Sequence, residues 1–318
     1  MKKHGNLIIS LDFEIRWGAA EKWDIEKKRK YFIDSRKSIS EVLKIFSENN
    51  ICATWATVGF LFAENKEQLI RYSPELKPTY LNSKLCYYDY FSAIGNNEYE
   101  DPLHYAGNII KQIINTEGQE LGTHTFSHYY CNEKGQTARQ FDQDLKAAQK
   151  IAKKNFNVNL KSLVFPRNQF NRKYLDIAID NGIKVVRTNP DVWFWKKNNF
   201  AFLNPVFRGI DTIIPISSSL TFDFISKYKS LSLLPSSRFF RPYKFSEICL
   251  QNLKIDRIKK EMYFAAKNKL NYHLWWHPHN FGENVNKNLM QLKEIIVYFK
   301  YLQKKYSFRS SNMINFDL

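Results

Sequence analysis

Only four cysteines occur among the 318 residues, Cys52, Cys86, Cys131 and Cys249, and they are scattered without paired spacing. That pattern speaks against a disulfide framework and suits reduced thiols. Long apolar runs are missing as well. The run behind Lys2 and Lys3 is short and contains Asp12, so it reads as neither a signal peptide nor a membrane span. Acidic residues are the scarcer charge, 31 against 48 Lys and Arg, for a formal net charge of +17. Such a balance favours anionic partners. The excess is nevertheless spread thinly, with no dense basic block and no nucleic-acid motif, so no nucleic-acid partner is expected. A cytoplasmic protein, at most held against the inner face of the membrane, is the expectation.

What is present is a 44% hydrophobic chain with no low-complexity tract, enough for a sizeable core in one domain over 1–318. Strand-like and helix-like segments alternate. "LIISLDF" opens as a strand, and Ile39, Val42, Leu43 and Phe46 stripe a helix that stops near Asn49–Asn50. "ICATWATVGF" and "GQELGTHTFSH" supply the next strands, followed by a helix with a capping box from Thr137 to Gln140. "KSLVFPRN", "IKVVRTN", "DTIIPISSS" and "NYHLWWHPHN" read as strands four to seven, and Leu289, Leu292, Ile296 and Phe299 stripe a final helix. Repeated βα units argue for a parallel α/β sheet, open or closed, with functional residues where strands end. Two stretches break the rhythm. Residues 64–105 hold seven of the eighteen tyrosines and read as a lid or wall beside the site, the other reading being a satellite subdomain. Residues 223–250, rich in Phe, Ser and Tyr, read as a second insertion.

Polar residues stand at the strand ends. Asp12 and Glu14 break an apolar run, and a period of two puts them on one face with Phe13 on the other. Burying an unpaired carboxylate costs about as much as a domain's whole stability, so these acids either face water or meet a metal or a substrate. "THTFSH" sets His124 and His128 four apart, and a helical turn there would aim both at one ion. Arg167 ends the fourth strand with Asp12 as an available partner. Asp191 lies beside Trp193 and Trp195, and His273, His277 and His279 surround two tryptophans. Five of the seven histidines thus fall in two strand-end clusters. Two histidines and a carboxylate can hold a metal with an open position, a second carboxylate can act as base, an arginine can keep it ionised, and another histidine can protonate a leaving amine. That is a toolkit for hydrolysing an amide or ester.

In "SLDFE", "HTFSH", "FPRNQF", "DVW" and "LWWH" the chain resembles the polysaccharide deacetylases, the NodB-like homology domain or carbohydrate esterase family 4, whose five motifs run in this order over nearly the whole length. The resemblance implies a distorted (β/α) barrel of about seven parallel strands with an aromatic-rich insertion after strand two. It makes Asp12 the catalytic base. Phe13 replaces the usual second aspartate, and the Asp-x-Asp/Glu arrangement of some branches makes Glu14 the metal ligand with His124 and His128. Arg167 becomes the arginine that orients Asp12, Asp191 the carboxylate beside the histidine acid, and His277 that acid. Because "RNQF" stands for Arg-x-Pro-Tyr, the oxyanion N–H falls to Phe170 or a neighbour. Trp193, Trp275 and His279 are expected at the substrate. Pro278 ends the seventh strand, which favours His277 over His279 as the acid and leaves His273 to the core.

The resemblance implies one divalent ion, zinc being the expected one, and N-deacetylation of an amino sugar. The "LDFE…RWG", "FPRNQ" and "WWHPHN" subgroup resembles enzymes of bacterial O-antigen or capsule assembly. A nucleotide-linked or lipid-phosphate-linked precursor, with peripheral membrane contact, would suit the basic surface. Two rival readings stand beside it: a hydrolase of a cyclic ureide or imide on the same fold, and a non-catalytic binder of anionic glycan or nucleic acid. Metal content separates the last from the others.

Overall fold

A computed structural model describes residues 4–196 and 202–317; Lys2 and Lys3 lie outside them. The first strand, β1 (Asn6–Phe13), is buried at every position after Asn6. A strand apolar on both faces must be covered on both, which makes it central in a parallel sheet. There follow α1 (Ile25–Asn49), β2 (Ala53–Thr57), α2 (Lys66–Tyr72), α3 (Gly107–Asn115), β3 (Gln119–Thr123), α4 (Ala138–Phe156), β4 (Ser162–Val164), α5 (Leu175–Asp180), β5 (Val185–Thr188) and α6 (Asn204–Asp211). The chain continues through β6 (Ser226–Tyr228), β7 (Leu231–Pro235), β8 (Arg238–Phe239), α7 (Gln251–Asn268), β9 (Asn271–Trp276), α8 (Val285–Tyr306) and β10 (Arg309–Ser311). The helix starts follow local chemistry. The Asp24 carboxylate accepts the N–H groups of Glu26 and Lys27 to begin α1, and Thr137 and Gln140 form the expected capping box of α4.

The sheet runs β6-β7-β5-β4-β3-β2-β1-β9-β8, parallel throughout except for the β6–β7 hairpin, with β10 on the lower half of β1. Its two ends meet in one stretch of chain. β7 pairs with β5, the Ser236 N–H donates to Thr188 O, the Ser237 N–H donates to His273 O, and β8 pairs with β9. Residues 231–239 are thus a single bent strand whose first half belongs to β5 and whose second half belongs to β9. The bend closes a seven-stranded barrel of the kind expected, and closure removes the free edges of the open sheet. No helix among the described residues is long and apolar enough to cross a membrane.

Two segments differ from the sequence expectation. "DTIIPISSS" is not a strand: the Asp211 carboxylate accepts the N–H groups of Ile216 and Ser217 and the Ser217 hydroxyl, which winds the chain around it. The sixth barrel strand is 231–239 instead, inside the stretch read as an insertion. Residues 64–105 form a wall with no core of their own. Tyr87, Tyr88, Phe91 and Tyr105 are buried in the same cluster as β1 and β2, and Trp17 packs on Phe60 and Tyr87.

A buried ionic cluster pins the closing strand. Arg238, on β8, reaches Asp211 Oδ2 at 2.5 Å and Glu261 Oε1 at 2.6 Å, and all three are about 97% buried. Burial works to raise the Asp211 carboxyl and Arg238 outweighs it, so it titrates below its ordinary 3.8. Its contribution is therefore present at neutral pH and is lost as pH falls below the ordinary carboxylate range. Arg238→Met would leave two buried carboxylates to Arg257 alone, at 3.8 and 3.4 Å, and should lower unfolding free energy by about 3–5 kcal/mol in urea titration. A loss under about 1 kcal/mol, as expected of a surface pair, would show that the cluster does not hold the closure.

Candidate active site

Asp12 and Glu14 leave the C-terminal end of β1, where the βα loops gather. Both are nearly sealed from water, 2% and 4% exposed. Phe13 points the other way and packs edge-on against Trp55 at 6.1 Å. Asp12 is held by a two-pronged ion pair, Arg187 Nη1 to Oδ1 at 2.6 Å and Nη2 to Oδ2 at 2.8 Å. Burial works to raise the Asp12 carboxyl, but the Arg187 guanidinium, with help from His124 and His277, outweighs it and keeps the group ionised. Arg187 comes from β5, and Arg167 is not Asp12's partner. Arg167 instead pairs with Glu21 and lies over the Tyr130 ring, 4.4 Å from its centroid.

Glu14 faces the histidines. Its Oε1 lies 3.0 Å from both His124 Nε2 and His128 Nε2. The two imidazoles converge through an irregular loop, not a helical turn. Thr125 and His128 adopt left-handed φ of 64° and 57°, and Ile15, next to Glu14, has φ 47°. Left-handed backbone at branched residues is strained and persists only where the surroundings impose it. Here Asp144 of α4 imposes it, its carboxylate accepting the N–H groups of Phe126 (2.7 Å) and Ser127 (3.1 Å) and the Ser127 hydroxyl. Burial pushes the Asp144 carboxyl up to about 6 against those bonds.

A hydrogen-bond chain from the aromatic wall decides the state of His128. The Tyr87 hydroxyl donates to Glu21, so the Tyr130 hydroxyl must donate to Tyr87 Oη, 2.7 Å away. The Tyr130 oxygen is then left to accept the Nδ1–H of His128 at 2.9 Å. That assignment follows from the network and leaves His128 Nε2 with a lone pair aimed at the Glu14 carboxylate. Two acceptors 3.0 Å apart repel each other unless a cation lies between them. Burial takes His128 down to about 4, with Glu14 opposing, so the imidazole is neutral at physiological pH. Burial likewise works to raise the Glu14 carboxyl, and His277, with the hydrogen bond from His124, holds it well below 4.5. The donor set of Glu14, His124 and His128, with ligand atoms all within 4.8 Å of one another, thus fits a divalent ion with an open position.

The end of β9 separates its three histidines. His273 is fully buried beneath the site, between Pro235 O at 3.0 Å and Ser10 Oγ at 2.8 Å, and burial drives it down to about 3. His279 is also buried, packed edge-on to Trp23 at 5.2 Å, with Nδ1 lying 3.9 Å from Glu14 Oε2. His277 alone of the three reaches the opening, a quarter exposed, with Nε2 3.7 Å from Asp12 Oδ2 and 3.8 Å from Glu14 Oε1. Trp275 stands at 5.8 Å from the His277 ring and lies over Arg187 at 4.7 Å.

Three other expected residues are not at this centre. The Asp191 side chain is 87% exposed and paired with Lys196, so it does not hold His277. Trp193 packs on Phe207 at 4.9 Å in the α6 connection, and Phe170 packs edge-on to Phe165 in a separate cluster around β4. Sequence reasoning missed Arg187, Glu21, Tyr87, Tyr130 and Asp144. Only Arg187 carried a clear signal, as a lone arginine inside the apolar strand "VVRT".

Gly18 is the tightest constraint on the Glu14 carboxylate: a Cβ there would lie 1.9 Å from Glu14 Oε2. Gly18→Ala should displace that carboxylate and weaken Zn2+ binding, read by calorimetry on metal-free protein. Tyr130→Phe removes the acceptor that sets the His128 tautomer, and its loss of affinity should be about 10- to 100-fold. Unchanged affinity in both variants would remove this donor set.

The family model for polysaccharide deacetylase matches residues 31–186, just under half of the chain. That stretch contains His124, His128 and Arg167 but ends one residue before Arg187, so the remaining positions rest on geometry. No curated protein sequence matches the chain. Among solved structures, a protein assigned to the polysaccharide deacetylases from Mycobacterium smegmatis superposes with a TM-score of 0.64 at 14% identity, covering 100% of this chain and 90% of its own. Another so assigned, from Pseudomonas aeruginosa PAO1, gives 0.55 at 9% identity over 98% and 88%. The Puue allantoinase gives 0.52 at 10% identity over 99% and 90%. Identities this low establish a shared fold and nothing finer. Over residues 31–186 the chain is thus similar to the polysaccharide deacetylases, and it shares the barrel fold of the solved structures.

Proposed function

We propose that the protein is a metal-dependent N-deacetylase that hydrolyses the acetamido group of an amino sugar in a surface-polysaccharide precursor, releasing acetate and a free amine. The observation that carries this reading is the convergence, at one barrel mouth, of three metal donors, a carboxylate locked ionised by Arg187 and one accessible histidine. A divalent ion held by Glu14, His124 and His128, zinc by the character of the donors, would supply Lewis-acid polarisation of the amide carbonyl and of the attacking water.

The chain's own residues do the rest. Arg187 keeps Asp12 deprotonated and fixes its plane, so Asp12 Oδ2 can accept a proton from water near His277. The His277 Nε2 stands on the open side of the same carboxylates, where a protonated imidazole can donate to the departing nitrogen. His279 and the aromatic wall exclude water behind the centre, and the buried Trp275 backs both Arg187 and the His277 ring.

Acetate release from N-acetylated amino sugars tests the reading, with chelation expected to abolish it and Zn2+ to restore it. Asp12→Asn and His277→Ala should each lower kcat by about a hundred- to ten-thousand-fold while Zn2+ affinity stays within a few-fold of wild type. Loss of Zn2+ binding in His277→Ala would make it a ligand instead. Arg187→Lys keeps the charge but not the fork, so the Asp12 carboxyl should move up toward its ordinary 3.8. A base acts only while ionised, so the acid limb of kcat/KM should shift to higher pH. An unmoved limb would remove Asp12 from that role.

A further inference from the structure

Helix α6 is built inside out. Its buried positions are polar, Asn204 and Asp211. Phe207 packs on Trp193, but Val206 and Ile210 face outward, 54% and 38% exposed, and Phe202, just before the helix, is 75% exposed. Val206 and Ile210, four apart, share one helix face, and with Phe202 ahead of the helix they form an apolar stripe directed at solvent. The neighbouring turn 245–250 extends it with Phe245 and Ile248, both well exposed. The two segments adjoin, because Arg241, paired with Glu247, approaches to 3.5 Å of the Cβ position of Gly209. A soluble surface rarely exposes a contiguous apolar patch without a partner for it.

Behind the stripe lies a cavity of about 290 Å³ whose lining includes Trp195, Arg208, Phe239 and Trp275. It adjoins the catalytic mouth, since Phe239 and Trp275 each stand within 6 Å of the His277 ring. Arg208 is half-buried in this cavity, 4.1 Å over the Trp195 ring, and donates from Nε to Phe194 O. Among the described residues no carboxylate lies within ion-pair distance of its guanidinium. Asp211, one turn away, is taken by Arg238 and Arg257. A desolvated, uncompensated guanidinium beside aromatic faces suits a phosphate oxygen.

We infer that the α6 face docks on an anionic membrane surface and that the cavity behind it receives the phosphate of a lipid-linked amino sugar, placing the acetamido group at His277. The inference rests on the deacetylase reading and names its substrate class. An outward apolar face beside the exposed Lys244, on a chain of net charge +17, has the make-up of an interfacial segment that inserts shallowly among anionic headgroups. A soluble nucleotide-linked sugar would use Arg208 but would leave the stripe without a purpose.

The test is flotation of the full chain with phosphatidylcholine vesicles, with and without phosphatidylglycerol. Wild type should partition onto the anionic vesicles. The Val206→Asp, Ile210→Asp double variant should lose this by about tenfold or more, with circular dichroism and Zn2+ affinity unchanged. In detergent, a short polyprenyl phosphate should bind wild type, and Arg208→Gln should weaken that binding by about tenfold or more. Three results would overturn the inference: no vesicle binding by wild type, equal binding by the double variant, or a nucleotide-linked sugar binding as tightly as the polyprenyl phosphate. Self-association abolished by the double variant, without vesicle binding, would assign the face to a second copy and equally overturn it. Neither readout uses acetate release, so failure here and failure of the deacetylase reading are separate results.

Discussion

Two carboxylates at the end of the central strand, Asp12 and Glu14, are the constraint to which the surrounding structure answers. Each is almost fully buried, and a buried carboxylate without a counter-charge costs several kcal/mol. The molecule meets the two in different ways. Asp12 receives a guanidinium in fork geometry, which is permanent and leaves the carboxylate ionised. Glu14 receives two imidazole nitrogens, one of which its own hydrogen bonds compel to be an acceptor, a mismatch that a divalent cation would resolve. The strained backbone at Ile15, Thr125 and His128, the Asp144 anchor and the tyrosine wall all follow from bringing those groups to one point.

The barrel's closure and its candidate site are joined by one segment. The bent strand 231–239 carries Pro235, whose carbonyl holds His273 under the site, then Arg238, which binds the α6 connection through Asp211, and then Phe239, beside His277. Buried charge therefore fixes α6 from its inner side, which is why its inner positions are polar. With polar groups committed inward, Val206 and Ile210 of that helix are left on the outside. The same ionic lock that closes the fold also produces its most unusual surface.

Much of the site was legible in residue types. Alternation along "LDFE" placed Asp12 and Glu14 together, and the His124–His128 spacing brought two imidazoles to Glu14, although by a strained loop where a helical turn was anticipated. Proline at 278 separated His277 from His279. The arginine was misplaced for a physical reason: Arg167 follows β4 while Arg187 lies within β5, and one strand over in a barrel is a change of partner that linear order does not encode. The rule that a strand arginine seeks a carboxylate applied to both, and both obey it, Arg167 with Glu21 and Arg187 with Asp12. Asp191 failed differently, since a residue beyond a strand end can turn to solvent at no cost, and here it does.

The sequence by itself determined the α/β class, the parallel core strand, the helix caps and the set of chemical groups gathered at strand ends. These depend on periodicity and on backbone hydrogen bonding within a few residues. Tertiary structure alone decided that 231–239 is the closing strand, because a bent strand short on each side has no periodicity of its own and is defined by its two partners. It also decided which arginine serves Asp12, which tautomer His128 holds and which way α6 faces. Each of those is a contact between residues far apart in the chain, settled by where buried charge can find its counterpart.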